Sequence, residues 1–236
     1  MDDSGNAVRP EFIFRRDDKN GTARSGDDRS LPPVGGLTKR LQDAAFAVVL
    51  LVLFSPFLLL VAITVKLTST GPVLFGHTRI GHAGKPFKCW KFRTMVTDGD
   101  AVLRRHLDAH PAARIEWERN RKLRNDPRVT RFGHVLRKYS VDELPQIINV
   151  LLGDMSLVGP RPVATDELER YGHAVEAYLA ARPGITGLWQ TSGRSDTTYE
   201  QRVALDSRYA AEWTFMLDFL ILLRTIPVVL GARGSC

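Results

Sequence analysis

The apolar residues are distributed unevenly along the chain and predict one membrane helix ahead of a more polar domain. Residues 44–65 contain no charged side chain over 22 positions, between Asp43 and Lys66. At about 1.5 Å per residue such a helix is about 33 Å long, enough to cross the hydrocarbon core of a bilayer. Residues 1–36 show no apolar periodicity and are rich in Asp, Arg, Gly, Ser and Pro. That composition predicts a disordered tail.

A proline lies in the middle of the apolar run and predicts a kink at Ser55-Pro56, because proline removes a backbone donor from the helix. Basic residues flank the run on both sides, with Lys39 and Arg40 before it and Lys66 after it. Positive charge marks the cytoplasmic side of a membrane helix. A helix that turns back to the same face satisfies both flanks, and a kinked spanning helix is the other interpretation.

Beyond the membrane helix the pattern predicts a mostly α fold with a small β-hairpin. Strands are expected near 73–76 and 87–92, where Gly residues separate β-favouring runs. Residues 98–123 are polar and predict a helix. Residues 213–230 are apolar but contain two charged residues, which predicts an amphipathic helix at the membrane interface or in the core.

The excess of basic over acidic residues limits the kinds of partner that the protein is expected to bind. Lys and Arg number 33 against 26 Asp and Glu, for a net charge of +7 and a pI near 9.7. Nine basic residues stand against three acidic ones in residues 114–138. With a membrane helix attached, this surface favours anionic lipid and phosphate over nucleic acid. A mean hydropathy of −0.14 excludes a polytopic transporter, and two cysteines cannot form a disulfide framework.

The candidate chemistry lies in residues 140–154. Ser140 and Glu143 have the spacing of a capping box, which predicts a helix over 141–152 with Asp142 and Glu143 in its first turn. Basic residues surround this acidic pair in the sequence, namely Arg128, Arg131, Arg137, Lys138 and Arg161. A carboxylate among arginines is suited to act as a nucleophile or metal ligand where phosphoryl oxygens bind.

Two stiff segments follow the acidic pair. In residues 155–162, prolines on both sides of Arg161 present its guanidinium from a rigid turn, suited to two phosphate oxygens. Residues 181–194 carry Trp189 and Arg194 among Pro and Gly residues. Trp189 either stacks on a ligand or belongs to the core.

Together these segments resemble the bacterial monotopic phosphoglycosyl transferases, and more narrowly the sugar transferases that initiate exopolysaccharides. The resemblance covers about residues 37–230. Its longest parts are KFRTM (91–95), DPRVTRFG (126–133), LRKYSVDELPQIINVLLGDMSLVGPRP (136–162) and RPGITGLWQTSGR (182–194). One departure is His77, where many relatives have Gln, which suggests a subgroup with its own sugar preference.

The resemblance implies transfer of a sugar 1-phosphate, galactose or glucose, from a UDP-sugar to undecaprenyl phosphate with release of UMP. It implies that Asp142 is the nucleophile and forms a phosphosugar-aspartyl intermediate, assisted by Glu143. Mg²⁺ would be held by Asp142 and Glu143. The residues expected to bind substrate phosphates are Arg137, Arg161, Arg128, Arg79, Lys91 and Arg93.

The resemblance also implies an organisation: a tail over 1–36, a re-entrant membrane helix over 37–68 broken at Ser55-Pro56, and a cytoplasmic catalytic domain over 69–236. The enzyme would lie on the cytoplasmic face of the bacterial inner membrane, against anionic lipid, with no nucleic-acid partner and with a homodimer allowed. The alternatives from the residues alone are a membrane-anchored basic scaffold without catalysis and a phosphatase acting through an aspartyl-phosphate.

Overall fold

The computed structural model describes residues 32–120, 122–193 and 197–231. Its helices are α1 Gly36–Thr68, α2 Gly99–Ala109, α3 Pro111–Asn120, α4 Arg131–Lys138, α5 Gln146–Leu152, α6 Thr165–Leu168, α7 Val175–Leu179, α8 Leu188–Thr191, α9 Tyr199–Ala211 and α10 Phe215–Leu230. Its strands are β1 Leu74–Ile80, β2 Pro86–Phe92, β3 Ser156–Val158 and β4 Gly184–Thr186. The mostly helical fold with a small antiparallel hairpin is confirmed. Of the predicted tail, residues 1–31 lie outside the described part.

The predicted apolar helix is α1, which is long and apolar enough to cross a membrane. Only 11% of its most apolar stretch is buried by the described part of the chain, so its side chains need cover from outside these residues. The helix continues through Pro56. Pro56 cannot donate to the carbonyl of Val52, and the Ser55 hydroxyl donates to that oxygen instead, at 2.9 Å. Re-entry at this point stays a prediction.

The hairpin confirms both predicted strands and extends the first. Strands β1 and β2 pair antiparallel, with Phe75 opposite Lys91 and His77 opposite Cys89. The backbone groups at the outer edge of β2 are hydrogen-bonded by a side chain of α5. The side chain of Asn149, on α5, accepts from Trp90 N at 3.0 Å and donates to the carbonyl of Lys88 at 2.7 Å. The hairpin is therefore held against α5, over a core that contains Cys89.

A second sheet was not predicted. The three-residue strands β3 and β4 pair in parallel, Ser156 with Gly184 and Val158 with Thr186. Glycine is required here because a Cβ on Gly159 would lie 2.3 Å from the carbonyl of Arg182. This pairing brings the two stiff segments of the sequence, 155–162 and 181–194, side by side.

Two further helical predictions are resolved by the structure. The single helix expected over 98–123 is two helices, α2 and α3, because Pro111 cannot continue the first and instead begins the second. The apolar C-terminal segment is α10 as predicted. Asp218 and Ile221 of α10 are buried, whereas six of its apolar side chains are exposed: Phe215, Met216, Phe219, Leu220, Leu223 and Ile226. This exposed face fits the predicted interfacial helix.

Candidate active site

The acidic pair lies in a different local structure from the predicted one. Val141–Glu143 form a 3-10 turn, and α5 begins only at Gln146, after Pro145. Ser140 has a left-handed backbone (φ +54°) and its side chain caps nothing. The predicted capping box is therefore wrong, and the helix predicted over 141–152 is confirmed only from Gln146 to Leu152. The carboxylate of Glu143 turns toward the hairpin instead of back to the backbone of Ser140.

Asp142 is buried, with 8% of its surface exposed. Burial raises the pKa of this carboxyl group, while the positive charges of Lys91 and Arg137 oppose the rise and the adjacent Glu143 adds to it. Side-chain charge, rather than the end of a helix, thus favours the ionised form of Asp142. A carboxylate in this setting is poorly hydrated and close to two cations, which suits attack on an anionic phosphoryl group.

The two cations reach the acidic pair from separate elements. Lys91, at the end of β2, places Nζ 2.6 Å from Oε1 of Glu143. Arg137, in the last turn of α4, donates from Nε to the hydroxyl of Thr94 at 2.9 Å. Burial lowers the pKa of Arg137, and Asp142 opposes that shift. Thr94 was not identified from the sequence; it follows Arg93 in KFRTM and fixes the direction of the Arg137 guanidinium.

Two other predicted phosphate ligands, Arg79 and Arg161, act on the buried Cys89 of the hairpin. Burial raises the pKa of its thiol to about 11; Lys91, Arg79 and Arg161 oppose this and Glu143 adds to it. These four side chains therefore lie around the Cys89 face of the hairpin. Of the predicted site residues, Lys91, Glu143 and Arg137 act on the charge of Asp142, whereas Arg79 and Arg161 act together with Lys91 and Glu143 on Cys89.

Arg161 is exposed on its stiff turn, as predicted. Its guanidinium lies 5.7 Å from the ring of Trp189, and that of Arg202 lies 4.8 Å from the same ring. Trp189 is buried with 7% exposed, which confirms the interpretation that it belongs to the core. Its ring also supports the two guanidinium groups. Arg194 lies outside the described residues.

A buried acid behind Arg161 was missed. Asp206, on α9, is 1% exposed and accepts a hydrogen bond from the hydroxyl of Tyr171 at 2.9 Å. Burial raises its pKa to about 7, against the lowering effects of Tyr171 and Arg161. The only signal in the sequence was an acidic residue at a helix position where an apolar one is expected.

Arg79 pairs with an acid of α6, with its Nη1 3.8 Å from Oε1 of Glu167. Two further predicted phosphate ligands, Arg128 and Arg93, contact other groups. Arg128 binds Asp126 through both carboxylate oxygens, with Nη2 to Oδ2 at 2.7 Å, and lies 5.1 Å from the Trp117 ring. Arg93 donates to the backbone and hydroxyl oxygens of Ser69, both at 2.8 Å. Neither is among the charges that act on Asp142. In this arrangement Arg93 orders the segment that follows α1, and Arg128 orders the segment that follows α3.

The carboxylates of Asp142 and Glu143 would supply only some of the ligands that a Mg²⁺ ion needs. Among the described residues, no group of three or more His, Cys, Asp or Glu side chains could hold a metal ion. Mg²⁺ is commonly held by one or two carboxylates together with substrate phosphates. The adjacent Asp142 and Glu143 therefore fit a metal ion that arrives with a diphosphate.

Comparison with known proteins identifies close relatives. The bacterial sugar transferase family matches residues 34–232. The exopolysaccharide production protein ExoY of Sinorhizobium fredii is 52% identical over 206 residues, which cover 87% of this chain and 91% of that protein. The undecaprenyl-phosphate galactose phosphotransferase of Salmonella typhimurium is 50% identical over 84% of this chain and 41% of its own length. The UDP-glucose:undecaprenyl-phosphate glucose-1-phosphate transferase of Escherichia coli is 42% identical over the same shares.

Proposed function

Because the chain belongs to the bacterial sugar transferase family, and is consistent with a phosphoglycosyl transferase, we propose that it transfers a sugar 1-phosphate from a UDP-sugar to undecaprenyl phosphate. Galactose and glucose are the sugars named for the Salmonella and Escherichia relatives. The product would be the first lipid-linked sugar of an exopolysaccharide, in keeping with the name of the Sinorhizobium relative.

The observation that carries the proposal is the burial of Asp142, whose carboxyl group is acted on by the positive charges of Lys91 and Arg137. One carboxylate oxygen of Asp142 attacks the phosphorus that bears the sugar. The bond from that phosphorus to the oxygen bridging to the uridine phosphate breaks, and UMP leaves with the electron pair. A phosphate oxygen of undecaprenyl phosphate then attacks the same phosphorus, and the aspartyl carboxylate is regenerated. Arg137, Arg161 and Arg79 would offset the phosphate charge during both steps.

Asp142 and Glu143 would hold Mg²⁺ against the diphosphate of the donor. When bound, the ion supplies charge neutralisation at the phosphate oxygens. Lys91 holds the Glu143 carboxylate in place through their 2.6 Å contact. Glu143 would thereby stay in place to help hold the ion.

The proposed setting is the cytoplasmic face of the bacterial inner membrane. A helix that re-enters at Ser55-Pro56 would leave the site at the level of the lipid headgroups, where the phosphate of undecaprenyl phosphate lies. The basic segment 114–138 would rest on anionic lipid. The exposed apolar face of α10 supports a second contact with the bilayer.

The test is UMP release by the detergent-solubilised full chain with Mg²⁺, undecaprenyl phosphate and a panel of UDP-sugars. We expect release with one or two sugars, and loss of at least 1,000-fold in Asp142→Asn, roughly the effect of removing a nucleophile. Asp166→Asn is the matched control, because Asp166 is an exposed acid on α6. Retained release by folded Asp142→Asn would disprove the covalent route.

The same assay separates the alternatives. A scaffold would bind anionic vesicles in a strongly salt-dependent manner and release no UMP from any donor. A phosphatase would release free phosphate instead of UMP.

A further inference from the structure

The hairpin presents a second group of side chains beside the acidic pair. Residues directly opposite each other in an antiparallel pair point to the same face. Phe75 lies opposite Lys91 and His77 lies opposite Cys89. Phe75 and His77 therefore share a face with the lysine that binds Glu143. We propose that His77, supported by Phe75, is a binding residue for the sugar of the donor; this rests on the proposed function.

The ring of His77 is free to bind a ligand. It is exposed at its position on β1, and no described residue offers either ring nitrogen a hydrogen bond. Its one close aromatic contact is with Phe75, at 5.2 Å between ring centroids and an angle of 83°. This edge-on contact helps to orient the imidazole ring.

The charge around His77 selects a neutral ligand. Burial lowers the pKa of the imidazole, and the cations Arg79, Lys91 and Lys88 lower it further. A neutral imidazole carries one donor and one acceptor, the pair that adjacent sugar hydroxyls complement. Phosphate oxygens would instead be bound by the neighbouring cations, because the neutral ring adds no positive charge.

Phe75 completes a platform of the kind that sugars bind. Its side chain is 51% exposed although it lies on the face of the hairpin that meets the active site. An exposed aromatic ring beside a hydrogen-bonding group can cover the apolar C–H face of a pyranose while hydroxyls are bound at its edge. The cross-strand neighbour of Phe75 is Lys91, so this platform adjoins the place where the sugar-bearing phosphorus must sit.

The test compares the affinity for the UDP-sugar with that for UDP, which lacks the sugar. Both dissociation constants are measured by calorimetry on the full chain with Asp142→Asn, so that the donor is not consumed. Adding His77→Ala should weaken the UDP-sugar about tenfold, the value of one or two hydrogen bonds, and leave UDP within about twofold. His77→Gln keeps a donor and an acceptor and should restore most of the affinity.

Thr78→Ala is the matched control, because Thr78 is the next residue of β1 and points to the opposite face, where Lys88 donates to its hydroxyl at 3.0 Å. The inference is overturned if His77→Ala leaves the UDP-sugar affinity unchanged, weakens UDP equally, or matches Thr78→Ala. It is overturned together with the proposed function if neither ligand binds. Turnover that survives Asp142→Asn would refute the proposed mechanism alone.

Discussion

At the scale of single residues, the site depends on carboxyl groups whose ionisation is set by burial. Burial raises the pKa of Asp142, so its carboxylate is lost at a higher pH than that of an exposed aspartate. We expect kcat/KM for UMP release to fall on acidification before the pH reaches the usual range of a free carboxyl group. A pH–rate profile checks this, with an acidic limb at or below pH 4 as the contrary result.

Asp206 gives a second pH dependence, in stability. Its folded pKa of about 7 lies above the unfolded value near 3.8, so the folded state binds the extra proton between these values. The protonated Asp206 side chain stabilises the folded state fully below about pH 4. This stabilisation is lost as the pH rises to 7. The side chain introduced by Asp206→Asn cannot ionise. As the pH rises from 5 to 8, the unfolding free energy of this variant should therefore increase by about 3 kcal/mol relative to that of wild type.

The measurement for Asp206 is the thermal unfolding midpoint of both solubilised proteins over that pH range. Asp166→Asn again serves as the control, because its exposed carboxyl group should keep a constant difference from wild type. A constant difference for Asp206→Asn would show that Asp206 stays ionised in the folded protein.

At the scale of elements, α1 and α5 are joined by a side chain that caps a helix end. Arg40 donates from Nη1 to the carbonyl of Val150 and from Nη2 to that of Leu151, both at 2.7 Å. These are terminal carbonyls of α5, the helix that follows the acidic pair. We expect Arg40→Ala to lower the free energy of unfolding by about 1–3 kcal/mol and to reduce UMP release.

Arg40→Lys should recover part of the Arg40→Ala loss in thermal unfolding, because an ammonium group can reach one of the two carbonyls. Arg104→Ala is the control, since Arg104 is exposed on α2 and its contact with the carbonyl of Asp100 is long, at 3.4 Å. Equal unfolding midpoints for Arg40→Ala and Arg104→Ala would contradict the capping role.

The membrane helix carries its own prediction. Pro56→Ala restores the backbone donor to Val52 and should straighten α1, which favours a helix that spans the bilayer. Cysteines introduced at Leu37 and Leu67, in a Cys89→Ser and Cys236→Ser background, report the side of the membrane by labelling in sealed vesicles. We expect both to label from one side with Pro56 and from opposite sides with Pro56→Ala. Unchanged labelling would show that re-entry does not depend on Pro56.

At the scale of the whole molecule, a buried ion pair joins the first described helix to the last. Nζ of Lys39 lies 2.5 Å from Oδ2 of Asp218, which also accepts from Tyr209 at Oδ1 (2.7 Å) and from Trp213 at Oδ2 (2.9 Å). Lys39→Met leaves the buried carboxylate of Asp218 without its cation, as it does that of Asp43, 4.0 Å from the same Nζ. It should cost about 3–5 kcal/mol of unfolding free energy.

Adding Asp218→Asn to Lys39→Met should recover part of that loss, because Asn removes the unpaired charge and still accepts from Tyr209. A double-mutant cycle on thermal unfolding measures the coupling. Additive losses in the two single variants and the double variant would show that the two side chains do not act as a pair.

Local patterns were sufficient where one segment alone sets the structure. The uncharged run 44–65 predicts α1, since a helix of that composition has to be covered by lipid or protein. The turn glycines and β-favouring residues predict the hairpin within a few residues. The clustering of basic motif residues around Asp142 and Glu143 predicts a phosphate-binding acidic site, and the ordered motifs predict the family.

How these parts meet depends on contacts between segments that are far apart in the chain. Lys91 and Glu143 are 52 residues apart in the chain, and their contact drew Glu143 away from the capping box that local spacing predicted. Strands of three residues in parallel carry no periodic signal, and Asp206 gains its raised pKa from burial under distant segments. Local sequence was enough to predict the membrane helix, the hairpin and the charged groups of the site, because propensity and hydrophobicity are local. The side chains that are shielded from water together in the site could not be predicted in this way, because burial and charge depend on residues that are remote in the chain.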